Sequence, residues 1–326
     1  MSTEKRFKAV TLCMSRKAFD LEKEVLAGIG AELIPFDLKP GADFRPVIRD
    51  ADALLVEGVD TLITEEVING LTKCKIIVRY AIGVENIDLR AAERRNIVVC
   101  NVPDYCIGEV SSHALTLLLA SVRKIVQTDR LVREGTWNIR SLAPFPRLSE
   151  QTLGILGYGR IGRAVSERAH AFGFRILAND PYIPEESVDK SKVTLVDLDT
   201  LLRESDYLTL HLHLTRETRN MIGPEQLRKM KKNALLINTA RGEIVDEKAL
   251  IRALDEKWIA GAALDVLSKE PPDRDNPLLR MDNVLVTPHA AWFTEGAYYE
   301  LHRKAAEEAA RVLLGEKAHF PMMLEQ

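Results

Sequence analysis

Residues 152 to 182 read TLGILGYGRIGRAVSERAHAFGFRILANDPY. An apolar run leads into Gly157, Gly159 and Gly162 in GxGxxG spacing, and a helical pattern starts at once. Each glycine has a separate task. The first permits a tight turn, the second lets a pyrophosphate approach the backbone, and the third lets helix and strand pack closely, with the amides of the helix N-terminus facing the phosphates. Asp180 ends the next strand pattern, FRILAND, where a carboxylate can accept hydrogen bonds from an adenosine ribose. A glycine-rich structural turn would account for the glycines but not for this acid. The acid would also repel a 2'-phosphate, and Pro181 and Tyr182 supply no compensating cation, so NAD is favoured over NADP.

Outward from this motif, short β-rich runs alternate with helical patterns along the whole chain. KAVTLC, AELIPFD, ADALLVE and KIIVRY precede it; DYLTLHL, ALLINTA, IAGAALDV and NVLVTPH follow. Such alternation predicts parallel sheets with crossover helices, and two doubly wound units are the economical arrangement. The join is expected near Pro103, ahead of the long helical pattern from Gly108 to Gly135. The segment from Thr294 to Leu314 reads as one amphipathic helix with a threonine cap, and it is expected to pack back on the first unit. The division is therefore 1–103 with 291–326, and 104–290. The irregular stretch GTWNIRSLAPFPRLSE, 135–150, is expected to form an oligomer contact.

Composition narrows the class. The 326 residues are 46% hydrophobic and 29% charged with a net charge of -3, the profile of a globular protein with no bulk attraction for nucleic acid. The first residues lack an apolar signal core, and ALTLLLASV at 114–122 is too short to span a bilayer, so a cytoplasmic location without membrane contact is expected. Cys13, Cys74, Cys100 and Cys106 show neither CxxC nor zinc spacing, so no metal is expected.

Three residues could serve hydride transfer to a ketone. Arg241 follows the strand pattern ALLINTA and precedes Gly242, so it should project from the carboxyl end of a sheet, where a guanidinium can grip a carboxylate. Read in isolation, it could equally be a solvent-facing loop arginine. Glu270 lies in AALDVLSKEPP, stiffened by Pro271 and Pro272; an exposed loop acid beside Lys269 is the competing reading. Pro288 stops the strand in NVLVTPHAAW and leaves His289 at the sheet's edge. A carboxylate bonded to His289 would favour the imidazolium, which could then give its proton to a carbonyl oxygen.

Together these stretches, with RYAIGVENIDL at 79–89, HLHLTRETRNMIG and LLINTARGEIVDEKAL, resemble the D-isomer-specific 2-hydroxyacid dehydrogenase family, over almost the whole chain. The resemblance implies an α/β protein in which a Rossmann NAD-binding domain is inserted in a flavodoxin-like substrate domain that closes on it, with dimers formed through the NAD domain. It implies Arg241, Glu270 and His289 as the catalytic set, Arg241 also holding substrate, and Ile82 and Gly83 lending amides to the substrate carboxylate. It further implies that Arg160 and Ile161 line the pyrophosphate, that His211 and Thr218 flank the cofactor, that Thr239, Ala240 and Arg241 reach its nicotinamide side, and that Asp265 bonds the carboxamide.

The chain departs from the family pattern at Glu85, at His213 where proline is usual, and at Ala290, Ala291 and Trp292 after the histidine. PHAAW resembles the C-terminal binding protein branch, NAD-responsive corepressors on the same fold. Trp292 would narrow the substrate pocket, or else sit at a domain interface. The expected activity is NAD-dependent reduction of a small 2-keto acid or oxidation of a D-2-hydroxy acid. A 3-phosphoglycerate dehydrogenase is the variant within the class, and an NAD(H)-sensing binding protein is the alternative outside it.

Overall fold

The structure, a computed structural model, describes residues 6–14, 19–39, 41–58 and 61–322. The chain forms two compact units, Met1–Tyr105 with Thr294–Gln326, and Cys106–Phe293.

In the first unit, β1 (Phe7–Cys13), β2 (Ala31–Asp37), β3 (Ala53–Val56), β4 (Ile76–Arg79) and β5 (Val98–Cys100) form a parallel sheet in the order β2-β1-β3-β4-β5. β3 and β4 are buried at every position, because helices cover both faces and no strand can present a polar side to water. This is the flavodoxin-like order, and its loops leave the carboxyl ends of the strands together. The helix Glu295–Leu313 belongs to this unit. Its cap is Thr294, whose hydroxyl accepts from the Ala297 N–H at 3.0 Å, and its buried stripe packs on β3, β4 and the helix Asp20–Ala27.

The second unit holds β6 (Thr152–Leu156), β7 (Arg175–Asn179), β8 (Thr194–Leu195), β9 (Tyr207–Leu210), β10 (Leu235–Asn238), β11 (Gly261–Leu264) and β12 (Val284–Val286). All seven are parallel, in the order β12-β11-β10-β9-β6-β7-β8. The winding reverses between β6 and β9, and the crevice outside their carboxyl ends is where such sheets take ligands. β8 has only two residues and no hydrophobic run long enough to announce it.

One expectation is corrected. The helical pattern from Gly108 to Gly135 is two helices, Ile107–Val122 and Ile125–Arg133, broken at Lys124, which adopts φ 52°. The Lys124 ammonium bonds the Leu142 carbonyl and lies 5.3 Å from the Phe145 ring centroid, so contacts with the 135–150 arm accompany a kink that periodicity alone cannot signal. The arm contains two short 3-10 turns, Arg140–Leu142 and Leu148–Glu150.

Candidate active site

The glycine loop forms where β6 gives way to the helix Arg160–His170. Gly157 sits at φ 91°, and a Cβ there would stand 2.5 Å from the His211 carbonyl oxygen, so only glycine lets the first turn lie against the exit of β9. A Cβ on Gly162 would come 2.1 Å from the Gly157 carbonyl oxygen, which makes that position a helix–strand contact. Gly159 faces open space, with nothing within 4 Å of its missing Cβ. Beside that space begins the helix, whose first-turn amides have no intrahelical partner. Asp180 closes the cradle from the end of β7. Its Oδ2 accepts from Tyr158 N at 2.8 Å and its Oδ1 from Tyr182 N at 3.0 Å, and each oxygen keeps a lone pair for a ribose hydroxyl. Arg160 is exposed and Ile161 half-buried at the start of the helix.

His211 continues β9 by donating its N–H to Leu156 O at 2.8 Å, and its Nε2 lies 3.0 Å from Thr209 Oγ1. Although the residue retains some exposure, burial of its ring pushes the pKa down to about 3, so it stands at the cradle as a neutral imidazole. Thr218 is occupied locally: its hydroxyl donates to His213 O at 2.6 Å and accepts from Thr215 N at 2.7 Å. His213 itself is exposed.

Three loops at the carboxyl ends of β10, β11 and β12 carry Arg241, Glu270 and His289, the residues expected to do the chemistry. After β10, the buried Asn238 side chain accepts from Ala240 N at 3.0 Å and donates to Arg241 O at 2.9 Å, turning Thr239, Ala240 and Arg241 out of the sheet. Thr239 Oγ1 is buried with no hydrogen-bond partner among the described residues. Gly242 then touches the next loop so closely that a Cβ would lie 2.0 Å from the Leu267 carbonyl carbon. That contact, which only glycine allows, draws the loop of Arg241 against the loop of Glu270.

The Glu270 loop is held from within and from outside. Glu270 Oε1 accepts from Leu267 N at 3.1 Å. Glu247, at the start of the helix Glu247–Asp255, accepts from Ser268 N and Oγ at 3.0 and 2.6 Å and from Asn276 Nδ2 at 2.9 Å. Sequence reasoning missed Glu247; the only signal was an acid following the Asp246 helix cap.

After β12, Pro288 ends the pairing and His289 takes φ 51°, a left-handed conformation that histidine tolerates better than branched residues do. Its N–H donates to Asp265 O at 2.8 Å. The Asp265 carboxylate, fully buried, holds the rest of the turn by accepting from Thr287 Oγ1 at 2.5 Å, Ala290 N at 2.9 Å and Ala291 N at 2.9 Å. His289 Nδ1 thereby meets Glu270 Oε2 at 2.6 Å, which leaves Nε2 as the ring nitrogen open to a ligand. Burial works to raise the Glu270 carboxyl, but the His289 hydrogen bond and charge, the Leu267 N–H and the Arg241 guanidinium outweigh it and hold the pKa below the ordinary 4.5.

Arg241, Glu270 and His289 therefore share one unit and one sheet end. Trp292 lies just beyond them, edge-on to Phe293 with ring centroids 5.3 Å apart. Ile82 and Gly83 belong to the first unit, in the half-buried loop after β4, where Ile82 O accepts from Asn101 Nδ2 at 2.7 Å. Among the described residues, no cluster of His, Cys, Asp or Glu could hold a metal ion, and no helix is long and apolar enough to cross a membrane.

Residues 115–291 match the profile of the D-isomer specific 2-hydroxyacid dehydrogenase NAD binding domain. A glyoxylate reductase of Korarchaeum cryptofilum is 44% identical over 274 residues, covering 83% of this chain and 81% of the relative. A D-3-phosphoglycerate dehydrogenase of Methanocaldococcus jannaschii is 44% identical over 272 residues; the match takes in 83% of this chain but only 51% of the relative. The structure of a D-lactate dehydrogenase from Aquifex aeolicus, complexed with NAD and lactic acid, superposes with a TM-score of 0.85 at 28% identity, covering 94% of this chain and 96% of that one.

Proposed function

The chain belongs to the D-isomer-specific 2-hydroxyacid dehydrogenase family, NAD-dependent oxidoreductases, and from that premise we propose that it interconverts a small 2-keto acid and its D-2-hydroxy acid with the three side chains at the β10–β12 end of its NAD-binding sheet. The observation that carries this reading is the 2.6 Å contact between His289 Nδ1 and Glu270, next to Arg241.

NAD, when bound, supplies or accepts the hydride. The residues that would hold it are Gly157, Gly159, Arg160, Ile161 and Gly162 at the pyrophosphate, Asp180 at the ribose, His211 and Thr218 along its flank, and Thr239, Ala240 and Asp265 toward the nicotinamide. The open space at Gly159 and the unsatisfied Thr239 hydroxyl suit such a ligand. Arg241 grips the substrate carboxylate through its planar fork, while Trp292 borders the side-chain pocket; the amides of Ile82 and Gly83, in the loop after β4, are proposed as further carboxylate donors. In reduction, His289 Nε2 would give its proton to the substrate's carbonyl oxygen, with Glu270 hydrogen-bonded to Nδ1 to favour the imidazolium. In oxidation the proton returns to Nε2.

The test is loss of NADH absorbance with glyoxylate, hydroxypyruvate, phosphohydroxypyruvate and 4-methylthio-2-oxobutyrate. Turnover on an unphosphorylated acid is expected, with kcat/KM falling about a hundredfold in Arg241→Ala. The M. jannaschii relative favours a second reading, 3-phosphoglycerate dehydrogenase, which preference for phosphohydroxypyruvate would establish. Binding of NADH without turnover on any acid would instead mark an NAD(H)-sensing protein.

A homodimer is part of the proposal. The helix Ile125–Arg133 has no buried residue, and Trp137, 89% exposed, lines a groove together with Thr128, Leu131, Val132, Thr136, Asn138 and Ile139. A groove and a projecting ring in the same patch are what an isologous twofold contact with a second copy requires. Light scattering should give a dimer that Trp137→Arg dissociates. A reducing, cytoplasmic setting is also proposed, since the spacing of the four cysteines suits neither a disulfide framework nor a zinc site.

A further inference from the structure

We infer that His113 is a positioning residue for His289, acting through Thr287 and Asp265. The inference rests on the reading of His289 as the proton donor. His113 stands on the sixteen-residue helix Ile107–Val122, which packs against β10 and β11, and its side chain is mostly buried. Its Nε2 lies 3.1 Å from Thr287 Oγ1 and 3.5 Å from Asp265 Oδ1.

The direction of each hydrogen bond follows from proton inventory. Thr287 Oγ1 donates its single hydroxyl proton to Asp265 Oδ1 at 2.5 Å. Thr287 Oγ1 can then face His113 only as acceptor, which puts a proton on His113 Nε2. The result is a chain in which His113 donates to Thr287, Thr287 donates to Asp265, and the N–H groups of Ala290 and Ala291 donate to the same carboxylate. These links tie down both sides of His289, which sits between Thr287 and Ala290 at φ 51°. A residue held in a sparsely populated backbone region persists only when its surroundings over-determine it. His113 is the one side chain in this chain of bonds carried by a helix, and it lashes the turn to that rigid element.

Removing the donor should let the turn relax and misplace the imidazole, while Asp265 keeps the Ala290 and Ala291 N–H groups and so its place toward the nicotinamide. The experiment compares His113→Leu, His113→Gln, Thr287→Val, the His113→Leu/Thr287→Val double variant and His289→Gln in the full-length enzyme. His113→Leu is expected to lower kcat about tenfold, with KM and the NADH Kd within about twofold, and to raise the solvent isotope effect on kcat as proton donation becomes limiting. His113→Gln, whose amide can still donate, should recover most of kcat. Thr287→Val should reproduce the leucine variant, and the double variant should be no worse than either single one, because all three break one chain. An unchanged kcat in both His113→Leu and Thr287→Val, or equal losses in leucine and glutamine variants together with a lowered Tm, would overturn the role of His113 while leaving His289 as donor. Full kcat in His289→Gln would overturn the underlying reading instead.

Discussion

His289 and Glu270 meet at 2.6 Å with side chains 35% and 30% exposed, whereas His302 and Glu22 meet at 2.9 Å with 2% and 0% exposed. The chemistry of the two pairs is the same and the surroundings are opposite. The first joins two loops at a sheet end and keeps one ring nitrogen open. The second joins the helix Glu295–Leu313 to the helix Asp20–Ala27 inside the first unit, where Tyr80 donates to Glu22 at 3.2 Å and the rings of Tyr80 and Tyr298 lie 4.4 and 4.3 Å from His302. If His289 acts as proposed, what separates a proton-transfer pair from a structural clamp is whether anything outside the protein can reach the imidazole.

The sharpest break of the comparison is kinetic. His289→Gln should cost about 10² to 10⁴ in kcat while the NADH Kd and Tm stay near wild type, measured by steady-state kinetics and cofactor titration; a loss below tenfold would put His289 in the same structural category as His302. Next in size is the buried pair. Glu22→Leu strands a histidine in the core and should lower stability by about 3 kcal/mol, read by denaturant unfolding, with the pH profile of kcat keeping its shape. A shifted pH profile would mean that the buried pair also communicates with the chemistry.

The smallest effect concerns pH. Because the folded pKa of Glu270 lies below the ordinary 4.5, the folded state binds fewer protons there than the unfolded chain does. Its contribution to stability is therefore complete above that ordinary value and disappears as pH falls through the lower folded one. The Tm gap between wild type and Glu270→Gln should be present near pH 7 and close as pH falls through the lowered folded value, beneath the ordinary 4.5. A gap that persists unchanged into acid would show that the loss comes from packing instead of charge.

Much of this was readable before any coordinates. Parallel strands betray themselves as apolar runs, and the turn at Gly157 and the acid at Asp180 follow from the geometry of a strand, a tight turn and a helix within thirty-odd residues of chain. Other features were not readable because their cause is distant. The break at Lys124 accompanies contacts with Leu142 and Phe145, the two-residue β8 is recruited by its neighbour β7, and Glu247 holds a loop twenty-one residues further along. His302 and Glu22 are 280 residues apart, and nothing local marks either as a partner of the other.

The sequence by itself determined the alternating architecture, the dinucleotide turn and the residue types able to do the chemistry, since each depends on neighbours along the chain. Only the tertiary structure decided which groups meet. Arg241 approaches Glu270 because Gly242 has no side chain to hold Leu267 away, and His289 faces Glu270 because Asp265 grips the turn on both sides of it. Those contacts depend on the packing of separate strand ends, and strand order in a doubly wound sheet is a property of the whole fold, not of any one segment.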